Sequence, residues 1–463
     1  MKRYEEYKPS LTKWAPSIPQ NWKQVRGKSV FYNQKQLNAD NTCENILSLT
    51  LKGVIGNNKE NPIGLSPKDY CTYQIFEPND LVFKLIDLEN ISTSRVGLVP
   101  ERGIMSPAYI RLCQRGNENI RYMYYQYFDL YLRNIFNGLG AGVRSTLTAS
   151  DLLNLPIMIP PRAEQDQIVR YLDWQVSKIN RLIAAKRKEI ALLKEQKQRK
   201  ITEVVVHGLK PNVPHKDTGI AWIGSIPAHW HCVALKRCAT VKSGITLGKQ
   251  YPVGTNLVSV PYLRVANVQD GFVNIETVTN LNVTPEEAAQ YRLPRGCVLM
   301  TEGGDRDKLG RGCVWNGEIE NCIHQNHIFA VTVNDKLLLN KWLEYVSACD
   351  IGRVYFDVTA IKTTNLACTN ASKVMAFPIP LPPRDEQECI INELNRITSR
   401  FNNARESLEK QIEYLQELRT RLISDVVTGQ VDVRDIKVPD GEYTYTETLE
   451  EETEEEPVAD GEE

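Results

Sequence analysis

The sequence predicts an α+β protein. It has two globular mixed α/β domains separated by two long helices that form an antiparallel coiled coil, and the whole is a pseudo-twofold internal repeat. Three observations predict this: a tryptophan-proline motif occurs twice, a proline-rich junction occurs twice, and each junction opens a long heptad segment. At roughly 150 residues per domain, 463 residues suggest about three domains. With 42% apolar and 24% charged residues the composition is globular. That excludes a mostly disordered chain, a collagen-like fibre and a small disulfide scaffold.

The first motif runs from Lys8 to Trp22 and again from Lys216 to Trp230. Both copies read K-x5-W-x2-S-I-P-x2-W without a gap, at an offset of 208. There are 7 tryptophans in the chain, so two recurring at the same spacing make chance a poor explanation. These tryptophans read as core, because a shared fold repeats its core whereas recognition residues should differ.

Between motif and junction, each copy reads as mixed α/β. Short apolar runs at Asp80 to Ile86, Gly296 to Met300 and His327 to Val333 lie between Gly, Pro and Asn turns, as strands do. One helix per copy is expected, Asn119 to Asn134 and Asn340 to Cys349. Pro78-x-Asp80-x-Val82 resembles Pro294-x-Gly296-x-Val298, and Tyr109 to Leu112 resembles His327 to Ala330.

The junction Ile159-Pro160-Pro161-Arg162-Ala163-Glu164-Gln165 returns as Leu381-Pro382-Pro383-Arg384-Asp385-Glu386-Gln387, now at an offset of 222. The residue before a proline avoids the helical region, so the prolines mark where each helix begins. Gly208 and Gly429 suit the ends. Between them, apolar residues follow a 4-3 spacing. The first seam is Val169, Leu172, Val176, Ile179, Ile183, Lys186, Ile190, Leu193 and Lys197. The second is Ile390, Leu394, Ile397, Phe401, Ala404, Leu408, Gln411, Leu415, Leu418 and Leu422. Sustained heptads predict that the helices pack antiparallel on each other. About 40 residues at 1.5 Å each give a rod of roughly 60 Å, and a globular unit at each end would suit a two-part target.

No run of 18 apolar residues predicts a transmembrane helix. The opening M-K-R-Y-E-E-Y-K-P-S lacks the apolar stretch of a signal peptide. The 11 scattered cysteines, without C-x-x-C pairs, read as reduced thiols, so a cytoplasmic protein with no membrane partner is expected. Catalytic motifs are missing. Gly27-Lys28-Ser29 lacks the upstream glycine of a phosphate loop, since position 22 is Trp22. Gly138-x-Gly140-x-Gly142 reads as a loop. Cys322-x-His324-x2-His327 lacks the second ligand pair of a zinc site.

The S-I-P-x2-W openings, the P-P-R-x-E-Q junctions and the helices after them resemble the specificity (S) subunit of Type I restriction-modification systems, from about residue 8 to about residue 435. Gly142 to Leu147 is similar to the family's segment before the junction, whereas the second copy departs there with Ala360 to Leu366. The resemblance implies a target recognition domain over residues 1–160, a central coiled-coil helix over 161–208, a second target recognition domain over 209–382 and a C-terminal helix over 383–430. An acidic tail over 431–463 completes the chain. It implies that each domain reads one half of a bipartite duplex DNA target. The helices would act as a ruler and dock two methyltransferase subunits, and a motor-nuclease restriction subunit would join them. The chain would do no chemistry and bind no cofactor. S-adenosylmethionine would sit on the partner methyltransferase, which flips its target adenine out of the stack. The competing reading is a non-catalytic coiled-coil adaptor with two protein-binding domains.

Base readout needs Arg, Lys, Asn or Gln at groove level. The candidates in the first domain are Arg95, Arg102, Arg111 and Arg144. In the second they are Arg264, Arg306, Lys308, Arg311 and Lys362, with Gln325 and Asn326 weaker. The loop Gly303 to Arg311 either inserts into a groove or is a solvated hairpin turn.

Formal net charge is −1, a sum of unlike parts. Residues 440–463 hold 12 acidic and no basic side chains; without them 56 basic residues face 45 acidic ones, a net of +11. A basic body suits a polyanionic partner, and the tail lacks the apolar content to fold. Replacing Arg306 or Arg311 by Ala is expected to weaken binding or relax specificity at one half-site only, as read by duplex binding to half-site variants. Equal loss at both halves, or no loss, would count against the assignment.

Overall fold

Both copies of the repeat fold around the same antiparallel four-stranded sheet. In the first the strand order is Phe31–Asn33, Ile110–Gln114, Leu81–Phe83, Val96–Leu98; in the second it is Ala239–Ser243, Ile328–Val333, Val298–Thr301, Gly312–Val314. The two orders match strand for strand. The short sequence likenesses found above fall on matching strands. The computed structural model describes residues 2–58, 69–86, 88, 94–140, 146–304, 309–310, 312–362 and 367–441. The chain divides into two units, Met1–Glu189 with Leu408–Glu463 (unit 1) and Ile190–Ser407 (unit 2). Each long helix therefore contributes a segment to both units rather than forming a separate part, because an amphipathic helix buries its seam only against a partner.

A second shared feature is a strand pair that ties the motif to the junction. Lys23–Arg26 pairs with Pro156–Ile159, and His231–Ala234 pairs with Pro378–Leu381. The copies differ beside the sheet. Unit 1 has two strand pairs there, Leu47–Thr50 with Gly53–Gly56 and Gln74–Phe76 with Gly103–Met105. Unit 2 has a three-stranded sheet of Thr279–Val283, Val258–Leu263 and Ile323–His324. The expected short helices are present at Ile120–Leu132 and Asn340–Ala348, but one helix per copy falls short: Ile135–Leu139 and Ala149–Asn154 are added in the first copy, and Pro285–Gln290, Asp350–Thr359 and Ala371–Ala376 in the second.

The repeated motifs meet. Trp22 and Trp230 are fully buried, each worth on the order of 4 kcal/mol of apolar burial. The Trp22 indole N–H donates to Glu164 Oε1 at 2.8 Å, and the Trp230 indole donates to Glu386 Oε2 at 3.1 Å. Each carboxylate is the glutamate of a P-P-R-x-E-Q junction. The neighbouring glutamine acts alike in both copies. Gln165 Oε1 accepts the Asn119 N–H at 2.8 Å, and Gln387 Oε1 accepts the Leu339 N–H at 2.9 Å. Each Gln Nε2 returns to a carbonyl just before the helix, Pro160 or Pro382, at 2.9 Å. These bonds fix the start of the long helix against the start of a short one.

The long helices span Arg162–His207 and Arg384–Val427. Within unit 1 Asn180 accepts from Arg419 Nη1 at 2.9 Å, and within unit 2 Lys197 Nζ donates to Asn402 at 3.2 Å. The residue numbers of the two pairs have the same sum, which is the signature of one antiparallel register. In the first helix Val169, Leu172, Val176, Ile179 and Ile183 are buried as expected. In the second the seam departs from the expected phase: Leu408, Ile412, Arg419 and Leu422 are buried, while Gln411 is exposed and Leu418 is 52% exposed. Ile412 and Arg419 take their places. The bond to Asn180 holds Arg419 inside, and a polar partner in a seam specifies register.

Order extends past the second helix, beyond residue 431 where the acidic tail was expected to begin. Val433 is fully buried. Its carbonyl and that of Ile436 accept from Gln167 Nε2 at 3.0 and 2.7 Å, and the Asp432 N–H donates to the Lys2 carbonyl at 3.0 Å. Residues 442–463, most of the acidic segment, lie outside the described residues.

Each long helix ends on a glycine at φ +72°, and each glycine lies against the buried tryptophan of its unit. A Cβ on Gly208 would stand 3.0 Å from the Trp230 ring, and one on Gly429 would stand 2.3 Å from Pro19 Cδ and 3.3 Å from the Trp22 ring. Left-handed backbone costs a non-glycine residue about 1–2 kcal/mol. Gly208→Ala should therefore lower stability by about that amount, and Gly429→Ala by more because Pro19 must also move. Denaturant midpoints of the two variants check this, and equal losses would contradict it.

Candidate nucleic-acid interface

The strand pleat and the packing around it decide which basic side chains reach solvent. Arg111 lies on Ile110–Gln114 with only 5% of its surface exposed. Its Nε donates to Asp80 Oδ2 at 2.6 Å and its guanidinium lies over the Phe76 ring. A charge pair so enclosed is a structural tie, since moving either partner into solvent would strand the other. Arg95 is 2% exposed, with Nη1 directed at the Ile86 carbonyl. Both were expected at groove level, and the fold places both inside unit 1. Arg102 is at the surface, in the turn before Gly103–Met105, with Glu77 at 3.5 Å. An exposed pair of this kind holds its arginine weakly. Arg144 lies outside the described residues.

Unit 2 gathers its candidates at one edge. Gly303–Gly304, which opens the charged loop, pairs with Ala367–Cys368, and that strand pairs with Ile361–Lys362. Gly304 and Lys362 are both opposite Ala367. Arg306, Lys308 and Arg311 lie outside the described residues, as does the Lys362 side chain, but the strand that leads to them is placed. The Glu302 carbonyl accepts the Thr369 N–H at 2.7 Å, and the Glu302 N–H donates to the His327 carbonyl at 2.9 Å. Gln325 stands two residues before His327. Its N–H donates to the Leu263 carbonyl at 2.9 Å and its Oε1 accepts the Val265 N–H at 3.3 Å, which brings Arg264 to the same turn. Arg264 Nη2 donates to the Thr277 carbonyl at 3.3 Å.

The histidines of the Cys322-x-His324-x2-His327 cluster part company. His324 is 2% exposed, and neither ring nitrogen has a hydrogen-bond partner among the described residues. His327 is exposed, and its Nδ1 lies 2.5 Å from Glu302 Oε2. Sequence spacing did not reveal this pair, because Glu302 lies far back in the chain, between the strands Val298–Thr301 and Gly303–Gly304. Among the described residues no group of three or more His, Cys, Asp or Glu could hold a metal ion, and no helix is long and apolar enough to cross a membrane.

Burial pushes the His324 pKa down to about 4. Because the folded value lies below the unfolded one of about 6.5, stability is fully present above pH 6.5. It is lost as pH falls toward 4, at about 1.4 kcal/mol per unit of pH. Denaturant midpoints should fall across that window, and His324→Leu should flatten the fall. An unchanged slope in the variant would refute the assignment.

Comparison with known proteins adds the family. Residues 19–192 match the family described as the Type I restriction modification DNA specificity domain. The "Putative type I restriction enzyme MjaX specificity subunit" of Methanocaldococcus jannaschii is 25% identical over 211 residues, which cover 45% of this chain and 48% of that protein. The chain thus matches about half the length of this curated relative. A solved chain from work on complex assembly and conformational transition of the type I R-M system covers 89% of this chain and 99% of its own, with TM-score 0.61 at 16% identity. That likeness is one of fold. The HsdS subunit from Thermoanaerobacter tengcongensis aligns at TM-score 0.42 and 17% identity, over 89% of this chain and 98% of that one. The stretch that matches this family runs from Pro19 through the first junction and into the central helix.

Proposed function

We propose that this chain is the sequence-specific DNA-binding specificity subunit of a Type I restriction-modification system. It reads a bipartite duplex target, one half with each repeat, and docks adenine methyltransferase and restriction subunits. The observation that carries the reading is one framework built twice with different edges. Trp22 and Trp230, Glu164 and Glu386, and Gln165 and Gln387 make the same bonds in both units, while what stands beside the sheet differs, two strand pairs in one unit and a three-stranded sheet in the other. A reader of two unlike half-sites needs that division.

The chain supplies binding and register, and S-adenosylmethionine chemistry belongs to the methyltransferase. Exposed apolar side chains on the long helices support docking. Leu182, Tyr414 and Leu418 stand close along the chain to the Asn180–Arg419 bond and are at least half exposed. Apolar surface of this kind on a helix pair suits a helical partner.

Co-expression with a Type I methyltransferase, followed by mapping of methylated adenines, should yield a motif of two specified parts around a non-specific gap. Duplex binding by the chain should weaken with salt as phosphate contacts release counterions. Leu418→Glu should abolish association with the methyltransferase while duplex binding persists. Salt-independent binding, or methylation without a bipartite motif, would favour the adaptor reading instead.

A further inference from the structure

The edge of unit 2 holds one side chain whose chemistry is more tightly defined than its neighbours'. His327 keeps 53% of its side chain exposed although its Nδ1 is engaged at 2.5 Å by Glu302. Glu302 is anchored on both sides by backbone bonds, from Thr369 and to His327 itself. It directly precedes Gly303–Gly304, the strand that leads into the charged loop. A carboxylate oxygen only accepts, so the bond requires a hydrogen on Nδ1. A neutral imidazole then carries its lone pair on Nε2. A ring in that neutral form offers an acceptor, whereas an arginine or lysine side chain offers donors only.

We infer that His327, held in this tautomer by Glu302, reads an amino group of adenine or cytosine in the half-site contacted by unit 2. The inference rests on the proposal above that the unit binds duplex DNA. In the major groove adenine presents N6–H2 and cytosine presents N4–H2, whereas guanine and thymine present carbonyl oxygens at the corresponding places. An acceptor on Nε2 accepts from the first pair and repels the second. Glu302 is a positioning residue: it touches no base and acts by fixing which ring nitrogen is bare. By the sequence likeness of Tyr109–Leu112 to His327–Ala330, the counterpart of His327 in unit 1 is Tyr109, a partly buried side chain packed on the core. One copy thus carries core packing where the other carries an exposed polar ring.

The test is binding of the full chain to duplexes in which each base of the half-site is replaced in turn, including purine for adenine and 2-pyrimidinone for cytosine, which lack the amino group. The wild-type chain should lose about five- to tenfold in affinity at one position when the amino group is removed, the worth of a single base contact. His327→Ala should be indifferent to that removal, with the other half-site unaffected. Glu302→Gln should relax the same position, because an amide both donates and accepts and so no longer selects the tautomer. A merely structural pair would leave base preference intact in both variants, and that result would overturn the inference. So would equal loss at both half-sites, or wild-type binding that no amino-group removal in this half-site weakens. A wild-type chain with no sequence preference at all would overturn the DNA-reading proposal together with it.

Discussion

The architecture depends on a hydrogen bond made twice, from a buried indole to a carboxylate at the first turn of a long helix. Trp22 with Glu164 and Trp230 with Glu386 join segments that are far apart in the chain. The bond fixes a large apolar ring and the polar end of a helix in one step, and an unmade bond at so enclosed a site would cost about 1–3 kcal/mol. Further groups gather on the same carboxylates. Tyr4 donates to Glu164 at 2.5 Å, and His229 lies 2.8 Å from Glu386. Each tryptophan ring also receives the glycine that ends the other long helix. One ring thus locates the start of one helix and the end of the other.

Once the ends are located, the helix seam needs little specificity of its own. Its apolar positions are buried near the ends of the first helix, at Leu172, Val176, Ile183 and again at Val204 and Val205, and only partly buried between. Polar pairs stand along it instead. Arg419 with Asn180 and Lys197 with Asn402 add directional bonds that a slipped register would leave unmade. Burial holds the Lys197 pKa below its usual value, the expected penalty for a charge in a seam.

The framework stays constant between the units while what stands beside it varies. The four-stranded sheet has the same order in both units, so a side chain on a given strand is presented on an equivalent strand whatever its identity. The buried Arg111–Asp80 pair shows the opposite use of charge: it ties the sheet of unit 1 and is spent there.

The sequence by itself determined the repeat, the extents of the helices and the buried role of the tryptophans. These rest on local rules: a proline stops a helix from starting earlier, a glycine lets it end, and heptad spacing marks an amphipathic face. The sharing of each long helix between the two units, the shift of the second seam from Gln411 and Leu418 to Ile412 and Arg419, and the inward turn of Arg95 and Arg111 were decided by tertiary structure alone. So was the separation of His324 from His327, one sealed in the core and the other set on Glu302. In each case the deciding partner comes from another segment of the chain, and hydrogen bonding and burial depend on distance in space, which spacing along a single chain does not encode.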